Sequence, residues 1–278
     1  MTRFLVVPQW QGSPAARAMH LIDGAEAIAG DLPRAATVRV DVPVEAGDAL
    51  GSGIRRFSAL ARVGEALTRE LEGDAAEPAL VVGGDCGVAL PAIAHAAART
   101  DALAVVWFDA HADLNAPDTS PSGAFGGMAL RAVVDALDAR EVSGGVPGSG
   151  CVPAERVILA GAREFDDAET AFVDASGLRV LDIASLADPA ALTAALTATG
   201  ASAVYLHVDL DVLDPAVFSG VALPVPFGLS LEQLVAAIRA VRAALPLAGA
   251  SVSGFAPASA AAAVDDLGTI LRVVGALA

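Results

Sequence analysis

Val105–Asn115 reads VVWFDAHADLN, and this stretch decides how the rest of the chain is understood. Val105 to Phe108 are apolar without a polar alternation, the pattern of a strand covered on both faces, as in a parallel sheet flanked by helices. Asp109, His111 and Asp113 then follow at a spacing of two. On an extended segment that spacing puts all three side chains on one side. Three acidic or imidazole groups on one side repel or compete unless a cation sits between them.

Outward from this strand, short apolar runs alternate with longer alanine-rich amphipathic stretches. Strands are predicted at Phe4–Pro8, Ala36–Val42, Ala79–Val82, Ala102–Phe108, Arg156–Ala160, Leu178–Leu181, Ala203–Val208 and Ala250–Phe255. Helices are predicted at Ala15–Ala29, Arg55–Leu71, Val88–Arg99, Phe125–Asp138, Ala168–Ala175, Pro189–Thr199, Leu231–Ala244 and Ala260–Leu277. This alternation predicts an α/β fold, a mainly parallel eight-stranded sheet between two helical layers, with residues 1–278 as one domain. Val142–Pro153 is rich in Gly and Pro and reads as a loop, not a domain boundary. In open α/β sheets ligands bind beyond the carboxyl ends of the strands, so those ends carry most of the functional information.

Composition narrows the field. The 278 residues carry a formal charge of −16, and all 17 basic residues are Arg. Such a surface lacks the basic stripe that nucleic acid requires. No apolar run is long enough to span a membrane. The start, MTRFLVVPQWQGSP, has no signal-peptide pattern, and two cysteines do not make a disulfide framework; a cytoplasmic setting is expected.

Two further strand ends share the acidic character of the first. Val204–Pro215 reads VYLHVDLDVLDP, with Asp209 and Asp211 on one side of the chain. Val81–Ala98 opens VVGGDCGV, with Cys86 where a strand gives way to a helix. Asp214 precedes Pro215 and reads as a turn residue, and Asp85 reads as a loop or cap residue. Asp109, His111, Asp113, Asp209 and Asp211 together suit hard or borderline divalent ions, with Mn2+ a natural candidate. They are too many for one tetrahedral zinc site and point to two ions.

These motifs resemble those of the arginase/agmatinase (ureohydrolase) family over nearly the whole chain. GGDCGV is similar to the family's Gly-Gly-Asp-His-Ser, DAHADLN to its Asp-Ala-His-x-Asp-x-Asn, and DLDVLDP to its Asp-x-Asp-x-x-Asp-Pro. The resemblance implies the arginase-like three-layer sandwich and two Mn2+ per chain. Asp109, His111, Asp113, Asp209 and Asp211 fall on five of the six family ligand positions, and Cys86 stands where the sixth is normally His. A thiol at a helix start beside two cations is expected to ionise and ligate.

The resemblance also marks departures. Gly126 stands where the family has a proton-carrying His, and Gly254 where a Glu pairs with the substrate guanidinium. The amino-acid end is better kept: Asn115 and Ser122 match residues that bind an α-carboxylate. In GAREFDDAE, Asp166, with Glu169 nearby, matches the α-amino site. The substrate implied is a guanidino amino acid. With its two usual helpers gone, the pattern resembles family members that cleave Nω-hydroxy-L-arginine to hydroxyurea and L-ornithine in antibiotic biosynthesis. Another ureohydrolase or an inactive metal-holding relative are the alternatives. His207, two residues before Asp209, is expected to be a buried structural residue, to orient a ligand or to replace the proton carrier. The family's trimers use a tail beyond the last helix, so a chain stopping at Gly275–Ala278 is expected to be a monomer or a weak oligomer.

Overall fold

The computed structural model describes residues 2–73, 78–138 and 145–278. Among them, strands β1 (Arg3–Val7), β2 (Thr37–Arg39), β3 (Ala79–Gly83), β4 (Leu103–Phe108), β5 (Val157–Ala160), β6 (Arg179–Leu181), β7 (Ala203–Asp209) and β8 (Leu247–Ser253) form one sheet. Its order is β2-β1-β3-β8-β7-β4-β5-β6, and every neighbouring pair is parallel. All six residues of β4 are buried, which is why its sequence shows no polar alternation. Leu103, Val105 and Trp107 enter one helical layer; Ala104, Val106 and Phe108 enter the other.

The first layer holds α2 (Phe57–Gly73), α3 (Ala89–Ala98) and α4 (Ala129–Val134), with α5 (Asp167–Ser176) packed against it through Phe172 and Val173. The second holds α1 (His20–Asp31), α6 (Pro189–Thr197), α7 (Leu231–Ala244) and α8 (Ala260–Leu277). The long helices bury residues at helical spacing: Phe57, Leu60, Val63, Leu67 and Leu71 on α2, and Leu231, Leu234, Val235, Ile238 and Val241 on α7. This is the three-layer α/β/α sandwich that the alternation predicts.

Several boundaries differ from the sequence expectation for local reasons. Residues 15–19 form turns closed by i to i+3 bonds, such as Ala18 N to Ala15 O, so α1 begins only at His20. The helix predicted at Phe125–Asp138 is a 3₁₀ turn, Gly126–Met128, followed by a short α4; it stops at Asp135, which is extended and paired with Arg131. β8 begins at Leu247 and ends at Ser253, because Gly254 turns into the left-handed region at φ 86°. Of the predicted loop Val142–Pro153, residues 142–144 lie outside the described residues.

The four central strands, in the order β3-β8-β7-β4, end side by side. Their carboxyl ends bring Cys86, Ser253, Asp209 and Asp109 to one crevice, where this class of sheet places its ligands. The chain can leave β3 so tightly because residue 84 is a glycine: a Cβ there would lie 1.6 Å from the Gln9 carbonyl oxygen.

Candidate metal centre

The crevice opens into a cavity of about 340 Å3 whose walls include Cys86, Asp109, His111, Asp113, Asp209 and Asp211. The six residues singled out in the sequence are therefore brought together. Cys86 Sγ lies 2.9 Å from Asp209 Oδ2 and 3.7 Å from Asp109 Oδ2. His111 Nδ1 lies 2.9 Å from Asp211 Oδ2 and 3.6 Å from Asp109 Oδ1. Asp109 thus turns one oxygen toward the thiol and the other toward the imidazole. Asp113 holds a left-handed backbone at φ 53°, and its Oδ2 is buried without a hydrogen-bond partner. A buried orphaned carboxylate oxygen costs free energy unless something positive meets it.

Electrostatics say the same. Burial, and then the charge of Asp211, pushes Asp209 up to about 7. Burial, and then Asp109, pushes Asp211 up to about 6. Burial and the neighbouring carboxylates raise Asp113 well above the usual carboxylate range and hold the Cys86 thiol protonated. Burial works against the imidazolium of His111, yet its bonds to Asp109 and Asp211 prevail and push it up to about 12. Among the described residues His111 is the cationic side chain paired with these acids. One imidazolium cannot balance four carboxylates, so the donor set fits divalent cations.

A second tier fixes these donors. Trp107 Nε1 donates to Asp109 Oδ2 at 3.1 Å, and Ser253 Oγ donates to Asp209 Oδ2 at 3.1 Å. His207 is fully buried, stacks on Trp107 with centroids 3.7 Å apart, and lies 3.4 Å through Nε2 from Ser253 Oγ and 2.8 Å through Nδ1 from Ser251 Oγ. Burial depresses its pKa to about 3, so it is neutral. It sits beneath the ligands and is absent from the cavity wall.

The sequence reading missed Trp107, Ser251 and Ser253. Their signal was small polar or donor residues at period two on buried strands. It also passed over Arg163, whose guanidinium donates to the carbonyl oxygens of Asp211 at 3.0 Å and Val225 at 2.7 Å. That pairing ties the 225–226 turn to the end of β7.

The amino-acid end is arranged differently from a bare binding site. Asp166 caps α5: its Oδ1 accepts from Glu169 N, and its Oδ2 accepts from Asn115 Nδ2 at 2.8 Å. Glu169 completes the reciprocal cap by accepting from Asp166 N and also accepts from Leu114 N. Both acids still line the cavity; Asn115 and Ser122 do not, and Ser122 Oγ accepts from Ala124 N in a turn. Asp85 accepts from Gln9, Gly12 and Gly87, as its reading as a loop and cap residue requires. Gly126 and Gly254 also border the cavity and offer no side chain to it.

Known proteins are similar to this chain in sequence and fold. An arginase of Bacillus caldovelox is 32% identical over 213 residues, 73% of this chain and 68% of its own length. An N(omega)-hydroxy-L-arginine amidinohydrolase of Streptomyces lavendulae is 30% identical over 219 residues, 77% of this chain and 74% of its own. The solved arginase of Entamoeba histolytica superposes with a TM-score of 0.84 at 20% identity, covering 99% of this chain and 97% of that one. A sequence model of the arginase family matches residues 27–270, and the chain belongs to that family of metal-dependent hydrolases of amidine C–N bonds.

Proposed function

We propose that this chain is a dimetal amidinohydrolase that cleaves Nω-hydroxy-L-arginine to hydroxyurea and L-ornithine, in the service of antibiotic biosynthesis. The observation that carries the reading is a donor wall with two glycines beside it. Cys86, Asp109, His111, Asp113, Asp209 and Asp211 converge on the cavity, whereas Gly126 and Gly254 contribute no imidazole and no carboxylate at the positions where the family has its proton carrier and its guanidinium partner. Similarity to the Streptomyces lavendulae relative supports the same substrate; similarity to arginases supports the reaction class.

These six residues would hold the ions, with Mn2+ the species the resemblance implies. Bound there, two divalent ions supply an acidified water as nucleophile and positive charge opposite the developing oxyanion. The chain's own residues do the rest. Asp109, with its oxygens turned to opposite neighbours, joins the two halves of the site. Asp166 and Glu169 place carboxyl groups on the wall where an α-amino group would bind; Asn115 supports that wall by bonding Asp166 Oδ2, and Ser122 shapes the turn beside Pro121, which lines it.

With glycine at 254, the carboxylate that pairs with a guanidinium in the family is missing from its position, so a less basic hydroxyguanidine is the better fit, and its N–OH brings a proton of its own. His207 positions Ser253, and through it Asp209, without reaching the substrate. One sheet carrying all described strands supports a single domain. Both cysteines are free, which suits the cytoplasm.

The test is product analysis with L-arginine, agmatine and Nω-hydroxy-L-arginine side by side. Hydroxyurea release at the highest kcat/KM supports the reading. Faster urea release from arginine or agmatine assigns another ureohydrolase, and no turnover of any of the three by metal-loaded protein assigns an inactive relative.

A further inference from the structure

Asp109 divides the centre into two unlike donor sets. On one side Cys86 Sγ lies 3.7 Å from Asp109 Oδ2 and 2.9 Å from Asp209 Oδ2; on the other, ligand atoms of Asp109, His111 and Asp211 lie within 4.8 Å of one another. The first set contains sulfur, and the second only oxygen and nitrogen. Sulfur is not incidental packing there. Cys86 Sγ also lies 3.4 Å from Ser253 Oγ, inside a wall that holds the buried, unpartnered Asp113 Oδ2. The chain's other cysteine, Cys151, is remote from this wall and instead lies 3.7 Å from the Val133 carbonyl oxygen.

We propose that the two halves of the centre select different ions: the Cys86 half prefers a thiophilic divalent ion of the zinc or cobalt class, and the His111–Asp211 half keeps a hard ion such as Mn2+. The proposal rests on the two-ion reading above and deepens it. Thiolate favours borderline and soft ions, and Mn2+ stands lowest among first-row divalent ions in affinity for a given N/O/S site. A carboxylate- and imidazole-only site discriminates less sharply against it. Mn2+ offered alone fills both halves; in competition it holds only the harder one. The Ser253–His207 pair beneath Cys86 and Asp209 keeps the softer half in place, as outer partners commonly do for metal ligands.

Cobalt substitution reads this directly, because sulfur ligation of Co2+ gives a near-ultraviolet charge-transfer absorption that oxygen and nitrogen ligation do not. Metal-free wild-type protein titrated with Co2+ develops that absorption within the first equivalent. Stoichiometric Zn2+ abolishes it, while a large excess of Mn2+ leaves it intact. Cys86→Ser binds Co2+ without the absorption, and Cys151, retained in that variant, serves as the internal control. Co2+ bound by wild-type protein without a sulfur absorption overturns the proposal, as does Mn2+ displacing the absorption as readily as Zn2+. Both results come from wild-type protein, so they do not depend on the variant folding. If wild-type protein binds no divalent ion, the two-ion reading itself fails; two ions bound with one shared preference overturn only the inference.

Discussion

Gly254→Ala is a small change with a large expected consequence for the centre. Gly254 holds φ 86°, where a side chain costs about 1–2 kcal/mol. Its added Cβ would lie 2.1 Å from Asp209 Oδ1 and 2.7 Å from Asp209 Cγ. Contact at van der Waals distance requires the carboxylate to withdraw by roughly 1 Å or more. Asp209 cannot withdraw freely, because it accepts from Asp211 N at 2.9 Å and Ser253 Oγ at 3.1 Å and lies against Cys86 Sγ. Losing one or two of those bonds adds about 1–3 kcal/mol. The expected total is about 2–5 kcal/mol of stability, a weakened Mn2+ affinity, and a rate lower by roughly 10²-fold from ligand misplacement alone. Gly254→Glu meets the same clash, so it does not restore a guanidinium partner. Urea denaturation of metal-free protein, calorimetric Mn2+ titration and turnover of hydroxyarginine measure the three effects. Wild-type metal affinity with a rate within a few-fold of normal would refute the packing argument.

Three other perturbations separate the roles assigned above. Trp107→Phe removes the Nε1 donor to Asp109 Oδ2 while preserving most of the buried ring, and should weaken metal binding by roughly 10–100-fold, read by competition with a chelating dye. Unchanged affinity would show that the indole does not orient the ligand. Glu169→Ala opens the α5 cap and orphans Leu114 N–H and Asp166 N–H, so it should cost about 1–3 kcal/mol in a urea melt; a stability loss near zero would assign Glu169 to substrate alone. Metal-stripped protein should lose stability as pH rises from about 4 toward 7. Folding raises Asp211 to about 6 and Asp209 to about 7, so the folded chain retains protons that the unfolded chain has released, and rising pH favours unfolding. Mn2+-loaded protein should not show that loss, since binding displaces those protons. Parallel thermal melts with and without metal check it, and a pH-independent melt of the stripped protein would contradict the crowded-carboxylate account.

The fold was legible where local signals coincide. α7 and α8 begin after Ser230 and Ser259, whose hydroxyls cap them, and their apolar stripes continue to the end. The metal-facing acids were legible because period two at a strand end is a purely local rule. What escaped depends on contacts distant in sequence. Asp166-x-x-Glu169 shows a capping box to the eye, but the bond that draws in Asn115, 51 residues away, does not. Gly254 could be aligned but its conformation could not be read, because what forces it is the Asp209 carboxylate on the neighbouring strand. Period two sets His207 on the same face of β7 as Asp209, yet only packing shows it sealed under Trp107 and Ser253.

The central claim, that this acidic wall with Cys86 in it is built to hold two divalent ions, is tested most directly by elemental analysis of protein equilibrated with Mn2+ alone. The account predicts two Mn2+ per chain in the wild type and in Cys86→His, and loss of one in Cys86→Ala. Wild-type protein that retains fewer than two, or a Cys86→Ala variant that retains both at full occupancy, would contradict it.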